Sequence, residues 1–150
     1  MTDLRDLYQE IILDHTKRPR NCRILPDANR RAEGHNRLCG DHMTLFLKVQ
    51  NGVVIDISFQ GSGCAISTAS ASIMTEALKG KRIEEVKEVF KRFHELVTAG
   101  PDDEVNAEDL GKLAAFAGVR EFPVRVKCAT LAWHTLKAAL ENEKQPATTE

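Results

Sequence analysis

Cys39, Asp41, Cys64 and Cys128 are the side chains of this sequence whose types suit shared chemistry. A cysteine thiolate is both a soft metal ligand and a nucleophile, whereas a carboxylate oxygen is a harder ligand that exchanges more readily. Three thiolates and one carboxylate suit a tetrahedral Zn²⁺, with Zn–S near ~2.3 Å and Zn–O near ~2.0–2.2 Å. Such a set is poised for ligand exchange as well as for rigidity. No C-x-x-C pair occurs and the spacing matches no standard zinc finger. Tertiary structure must therefore gather the four.

The element that positions the first three is a β-hairpin. In MTLFLKVQ-NG-VVIDISFQ, Met43, Leu45, Leu47 and Val49 alternate with more polar positions, as do Val53, Ile55, Ile57 and Phe59. A two-residue Asn51-Gly52 loop would set Leu47 against Asp56 and oppose each apolar face to a polar one. A three-residue loop over 50–52, with Gly52 left-handed, pairs Val49 with Val53, Leu47 with Ile55, Leu45 with Ile57 and Met43 with Phe59. This is the expected register. Continued past the strands, it places Cys39 opposite Gly63 and Asp41 opposite Gly61. Residues two apart on an extended segment project to one side, so Cys39 and Asp41 face one point, with Gly40 allowing a tight backbone. Cys64 and Cys128 each fall at an expected helix start, where free N–H groups and the helix dipole favour thiolate over thiol.

Around the hairpin the periodicity predicts a first helix over about 3–16, with a Thr2-Asp3 cap and the stripe Leu4, Leu7, Tyr8, Ile11 and Ile12. An arginine-rich loop follows, ending in an extended piece over 31–37. Helices are predicted over 64–79, with Ile66, Ala69, Ile73, Ala77 and Leu78 inward, and over 83–97, with Ile83, Val86, Phe90, Phe93 and Val97. TAGPDDEV reads as an acidic linker, after which Asn106 caps a short helix carrying Leu110, Leu113 and Phe116. Pro123 makes REFPVRVK extended, and the last helix starts at Cys128 with Leu131, Thr135, Leu136 and Ala139 toward the core. The expected domain spans 1–143, and 144–150 form a disordered tail.

Composition narrows the class. At 150 residues with 42% apolar side chains, the chain fits one compact unit that needs no disulfide or metal merely to fold. Twenty-one Lys and Arg against 22 Asp and Glu leave a net charge of −1, which removes the electrostatic case for nucleic-acid binding. No apolar stretch approaches the ~20 residues that cross a bilayer, and MTDLRDLYQE lacks a signal-peptide core, so a cytoplasmic, non-membrane protein is expected. In that reducing compartment four spread cysteines favour metal ligation, thiol chemistry or burial over disulfides.

Other candidates read more plainly. Cys22 sits in a polar loop as an incidental thiol. His42 projects to the face opposite Asp41, and His15, His35, His94 and His134 read as surface or packing residues. Lys127 is either a solvated charge or a cation that lowers the Cys128 pKa or pairs with Asp41. The arginines of 18–37 form a solvated face or a dock for an acidic partner patch.

Three further segments carry a resemblance to a known family. Cys39-Gly-Asp41, Gly61-Ser-Gly-Cys64-Ala-Ile-Ser with Ala69-Ser-Ala-Ser-Ile-Met74, and Pro123-Val-Arg-Val-Lys-Cys128-Ala-Thr-Leu-Ala-Trp133 resemble the IscU-type iron–sulfur assembly proteins, specifically their SufU branch. Lys127 stands where the scaffold branch ordinarily has His, the Leu-Pro-Pro chaperone motif is missing, and a longer segment, roughly 95–120, precedes the last helix. These departures are also those of SufU. The resemblance implies an α+β fold with a three-stranded antiparallel sheet and helices packed on it. It implies zinc held by Cys39, Asp41, Cys64 and Cys128, with Arg125 and Lys127 beside the site. It also implies a zinc-dependent sulfurtransferase whose Cys39 accepts persulfide sulfur from a SufS-type cysteine desulfurase, a partner histidine replacing Cys39 on the metal. Downstream Fe–S scaffold proteins are further potential partners. The alternative is a scaffold on which an Fe–S cluster assembles before transfer; a structural zinc domain without turnover is a third reading.

Overall fold

The computed structural model describes residues 4–100, 103, 107–141 and 147–149. Strands β2 (Asp41–Gln50) and β3 (Val53–Ser62) form the hairpin. Its loop is the two-residue one: Asn51 and Gly52 both have positive φ, 52° and 74°, as a type I′ turn requires, and Gln50 pairs with Val53. The expected three-residue loop and its register are therefore corrected. The conflict that argued against the short loop is resolved by a bulge beside Lys48 and Val49, where Ile55 is skipped. Beyond it Leu47 pairs with Ile57, Leu45 with Phe59 and Met43 with Gly61, so the apolar faces coincide after all.

Strand β1 (Arg30–Asn36) runs antiparallel to β2, from Arg30 opposite Leu47 to Asn36 opposite Asp41. Its other edge takes β4 (Ala147–Thr148) in parallel, so the sheet has four strands in the order β3-β2-β1-β4 and is mixed, not three-stranded and antiparallel. The polar tail gives no apolar pattern by which a strand would be recognised. Its backbone nevertheless supplies the donors and acceptors that the edge of β1 lacks. Residues 144–146 and 150 of the expected disordered tail lie outside the described residues, whereas 147–148 are ordered into the sheet.

Helices α1 (Leu4–Lys17), α2 (Ala65–Leu78) and α3 (Ile83–Thr98) fall within a residue or so of expectation. Leu7, expected inside, is exposed. The Thr2-Asp3 and Asn106 caps and half of the acidic linker lie outside the described residues. Leu113 and Phe116 are buried as expected, though on 3₁₀ turns over Glu108–Glu121 broken at Gly111. The largest departure is α4 (Pro123–Leu140). Pro123 opens this helix, where its missing N–H has no intrahelical partner to lose and its ring presets φ. Residues 123–127, expected to be extended, are thus helical, and Cys128 stands in the second turn.

The core lies between the sheet and these helices. Trp133 of α4 stacks on Phe93 of α3 with ring centroids 4.6 Å apart and donates from Nε1 to Ser70 Oγ on α2 at 3.2 Å. Ser70 Oγ in turn donates to the Ala129 carbonyl at 2.6 Å. These bonds tie α2 to α4 one residue beyond Cys128, and so fix the start of α4 relative to that of α2.

Candidate metal centre

A single 3₁₀ turn, Arg37–Cys39, joins β1 to β2 across the Asn36–Asp41 pair. Cys39 is therefore in a turn, not on the extended segment expected for it. The predicted neighbours change with the register: His42 pairs with Ser62, which brings Asp41, not Cys39, alongside Gly63. A Cβ at Gly63 would lie 2.8 Å from Asp41 Oδ1, so this approach needs a glycine. The buried Asp41 accepts the Cys64 backbone N–H on Oδ1 at 2.8 Å. Cys64 is the N-cap of α2 as expected, its Sγ accepting the Ser67 N–H at 3.4 Å.

Three of the four candidate ligands still come together. Cys128 Sγ lies 3.1 Å from Cys39 Sγ, and ligand atoms of Cys39, Asp41 and Cys128 are all within 4.8 Å of one another. Cys64 joins from the side, its Sγ 3.9 Å from Asp41 Oδ2. Ligand atoms around a tetrahedral zinc are roughly 3.3–3.8 Å apart, given bonds of about 2.0–2.3 Å. Cys39, Cys128 and Asp41, two sulfurs and a carboxylate, suit such an ion in donor type, and their ligand atoms lie close to this spacing, while Cys64 stands outside that group of three.

Cys128 corrects another expectation. Away from a helix N-terminus, its thiol is pushed up, not down: burial disfavours the thiolate most, and the nearby Cys39 and Cys64 sulfurs and the Asp41 carboxylate add to it. A cation among these ligands is the counter-charge that would favour ionisation. Cys128 also receives a hydrogen bond from Asn36 Nδ2 at 3.7 Å. The sequence carried no signal for Asn36, an isolated amide at the end of a short polar strand.

The cluster opens into a cavity of about 500 Å³ lined by Cys39, Cys64, Phe122, Val124, Arg125 and Cys128. Phe122 and Val124 are more than half exposed and form an apolar rim that the extended reading of 120–127 concealed. Arg125 is exposed on this rim. Lys127 is half-buried, and its carbonyl accepts from Thr149 Oγ1 at 3.0 Å. Among the described residues no hydrogen bond joins either of these two side chains to the cluster, so of the alternatives for Lys127 the pair with Asp41 is not formed. His42 faces away as expected, its ring tilted against that of His35 at 4.6 Å between centroids. Cys22 is exposed and apart from the cluster. In the arginine-rich loop Arg20 pairs with Asp14 at 2.7 Å, Arg23 pairs with Asp56 at 3.0 Å, and Arg31 lies over the Phe46 ring. Those guanidiniums are engaged within the chain.

Residues 7–129 match the family described as NifU-like N-terminal domain. The zinc-dependent sulfurtransferase SufU of Bacillus subtilis is 41% identical over 142 residues, covering 95% of each chain. The iron–sulfur cluster assembly scaffold protein IscU of Thermotoga maritima is 40% identical over 93% of this chain and 96% of its own. A candidate SUF-system scaffold from Fervidobacterium islandicum superposes with a TM-score of 0.82 at 34% identity, over 92% of this chain and 99% of that one. The chain belongs to the NifU-like N-terminal family of SufU- and IscU-type iron–sulfur cluster assembly proteins.

Proposed function

We propose that the protein is a zinc-dependent sulfurtransferase that takes sulfane sulfur from the persulfide of a SufS-type cysteine desulfurase in the cytoplasm. Cys39, Asp41, Cys64 and Cys128 hold the zinc, and Cys39 is the sulfur acceptor. The observation that carries this reading is the asymmetry of the cluster. Cys128 is buried at its floor, while Cys39 is more exposed, adjoins it at 3.1 Å and faces the cavity. The name of the Bacillus subtilis relative and Lys127 in the position before Cys128 support the same reading.

Bound zinc favours the thiolate form of its cysteine ligands at neutral pH. The transfer itself is thiol–disulfide exchange. The Cys39 thiolate attacks the terminal sulfur of the partner's persulfide, a bond forms between Cys39 Sγ and that sulfur, and the partner's S–S bond breaks. The partner leaves as a thiolate, and the transferred sulfur keeps its proton, so no oxidant or reductant is consumed. Phe122 and Val124 at the rim exclude water where the two sulfurs meet, and Arg125 offers a positive charge to the departing partner thiolate.

The names of the Thermotoga maritima and Streptococcus pyogenes relatives favour a second reading, in which the same ligands hold an Fe–S cluster as cargo. One experiment separates the two. Stoichiometric zinc in the purified protein, with desulfurase turnover stimulated by wild type and not by Cys39→Ala, supports the transferase. A cluster that assembles on the protein and passes intact to an apo-acceptor, without stimulation of turnover, refutes it in favour of the scaffold.

A further inference from the structure

Three sulfurs meet at the cluster, and the proposed function needs only one of them to react. Their hydrogen bonds differ. Cys64 Sγ accepts the Ser67 backbone N–H at 3.4 Å, and Cys128 Sγ accepts Asn36 Nδ2–H at 3.7 Å. Among the described residues no amide donates to Cys39 Sγ, whose polar contact is the Cys128 thiol at 3.1 Å. An N–H donor draws charge from a thiolate, which lowers both its basicity and its nucleophilicity. The unbonded sulfur keeps both.

Asn36 is a costly way to supply such a donor. Its side chain is fully buried and its Oδ1 has no partner. An apolar residue of similar volume would avoid leaving an unsatisfied buried carbonyl. At this position the amide gives something that shape alone does not, and its Nδ2 points to sulfur. Its neighbours are fixed as well, because Asn36 pairs with Asp41 at the end of β1.

We propose that Asn36 is a positioning residue that quiets the Cys128 thiolate, as the Ser67 N–H quiets Cys64, so that nucleophilicity in the loaded site is confined to Cys39. This rests on the zinc and sulfur-transfer reading above. The buried sulfurs serve as anchors because they are hydrogen-bonded, and Cys39 is the exchangeable one because it is not.

The test uses the zinc-loaded full chain and iodoacetamide, with alkylation rates resolved for each cysteine by peptide mass spectrometry. In wild type Cys39 reacts faster than Cys64 and Cys128. In Asn36→Leu the Cys128-to-Cys39 rate ratio rises about tenfold or more, as expected for losing a hydrogen bond to a charged group, while the Cys64-to-Cys39 ratio stays put. An unchanged Cys128 ratio in a variant that still binds one zinc per chain overturns the inference, as does a wild type in which Cys39 is not the fastest. Should Asn36→Leu not fold, wild type loaded with an NMR-active cadmium isotope decides. Scalar coupling from the metal through sulfur to the Asn36 side-chain amide and the Ser67 amide supports the assignment, and no coupling at Asn36 refutes it. Neither measurement contains a desulfurase. A protein that shows the alkylation pattern yet fails to stimulate the desulfurase therefore refutes the function and supports the donor assignment.

Discussion

Asp41 has two duties in the structure, and a pair of substitutions separates them. Its Oδ1 accepts the Cys64 N–H at 2.8 Å, which fixes the start of α2, while Oδ2 faces the sulfurs. Asp41→Asn is isosteric and keeps an amide oxygen to accept that N–H, so the fold loses little, about 1 kcal/mol or less. It removes the anionic ligand, so zinc binding weakens by at least about tenfold, the lower end of what even an outer supporting group contributes. Asp41→Ala removes the acceptor as well and leaves the Cys64 N–H unpaired, which costs about 1–3 kcal/mol. For a chain of this size that lowers the melting temperature by roughly 2–12 °C. The assays are chelator competition for zinc, thermal unfolding of the zinc-free protein, and stimulation of desulfurase turnover. The expected order is a near-normal melt with weak zinc binding and little stimulation for Asn, and the same functional loss with a lower melt for Ala. Wild-type zinc affinity in Asp41→Asn, together with a lowered melt in Asp41→Ala, would show that Asp41 is a structural acceptor and not a ligand, and the ligand assignment would fall.

Gly63→Ala puts a methyl group 2.8 Å from Asp41 Oδ1 and 3.3 Å from Ser67 Oγ. The carboxylate must give by several tenths of an ångström, beyond the ~0.2 Å tolerance of a metal ligand distance; chelator competition should show weaker zinc binding, and unchanged affinity would contradict the Asp41 placement. His15 is fully buried, with Nδ1 2.7 Å from Ser72 Oγ, and burial first, then Arg20 and Lys112, hold its pKa below the ordinary histidine value. The unfolded chain therefore binds a proton that the native one does not, and this contribution to stability is lost as pH falls below about 6.5 toward the lowered native value. Denaturant melts of wild type and His15→Gln should show a shallower decline in the variant over that window; parallel slopes would remove His15 as the cause. Phe93→Ala opens a cavity beside Trp133 and Phe116 at a fully buried position and should cost about 3–5 kcal/mol in a chemical melt, with a shift in Trp133 emission. A loss under about 1 kcal/mol would mean that the core closes over the gap.

Local chemistry determined much of this protein from sequence alone. The alternation across 43–59 specified a hairpin, the 3.6-residue periods specified α2 and α3, and the thiols with Asp41 specified the kind of ion that would suit them. Where short-range rules competed, the sequence was ambiguous. Asn51-Gly52 favoured a two-residue turn and the apolar pattern favoured another register, and only a bulge that leaves Ile55 unpaired satisfies both. Pro123 is equally at home in an extended segment and in a helical first turn, and packing of α4 against α2 and the sheet selected the helix. That selection moved Cys128 from an exposed helix start to a buried second turn and reversed the direction of its pKa. Asn36 and the Phe122–Val124 rim became visible only then. Burial, hydrogen-bond donors and cavity walls come from residues far apart in the chain, so neither spacing nor composition encodes them.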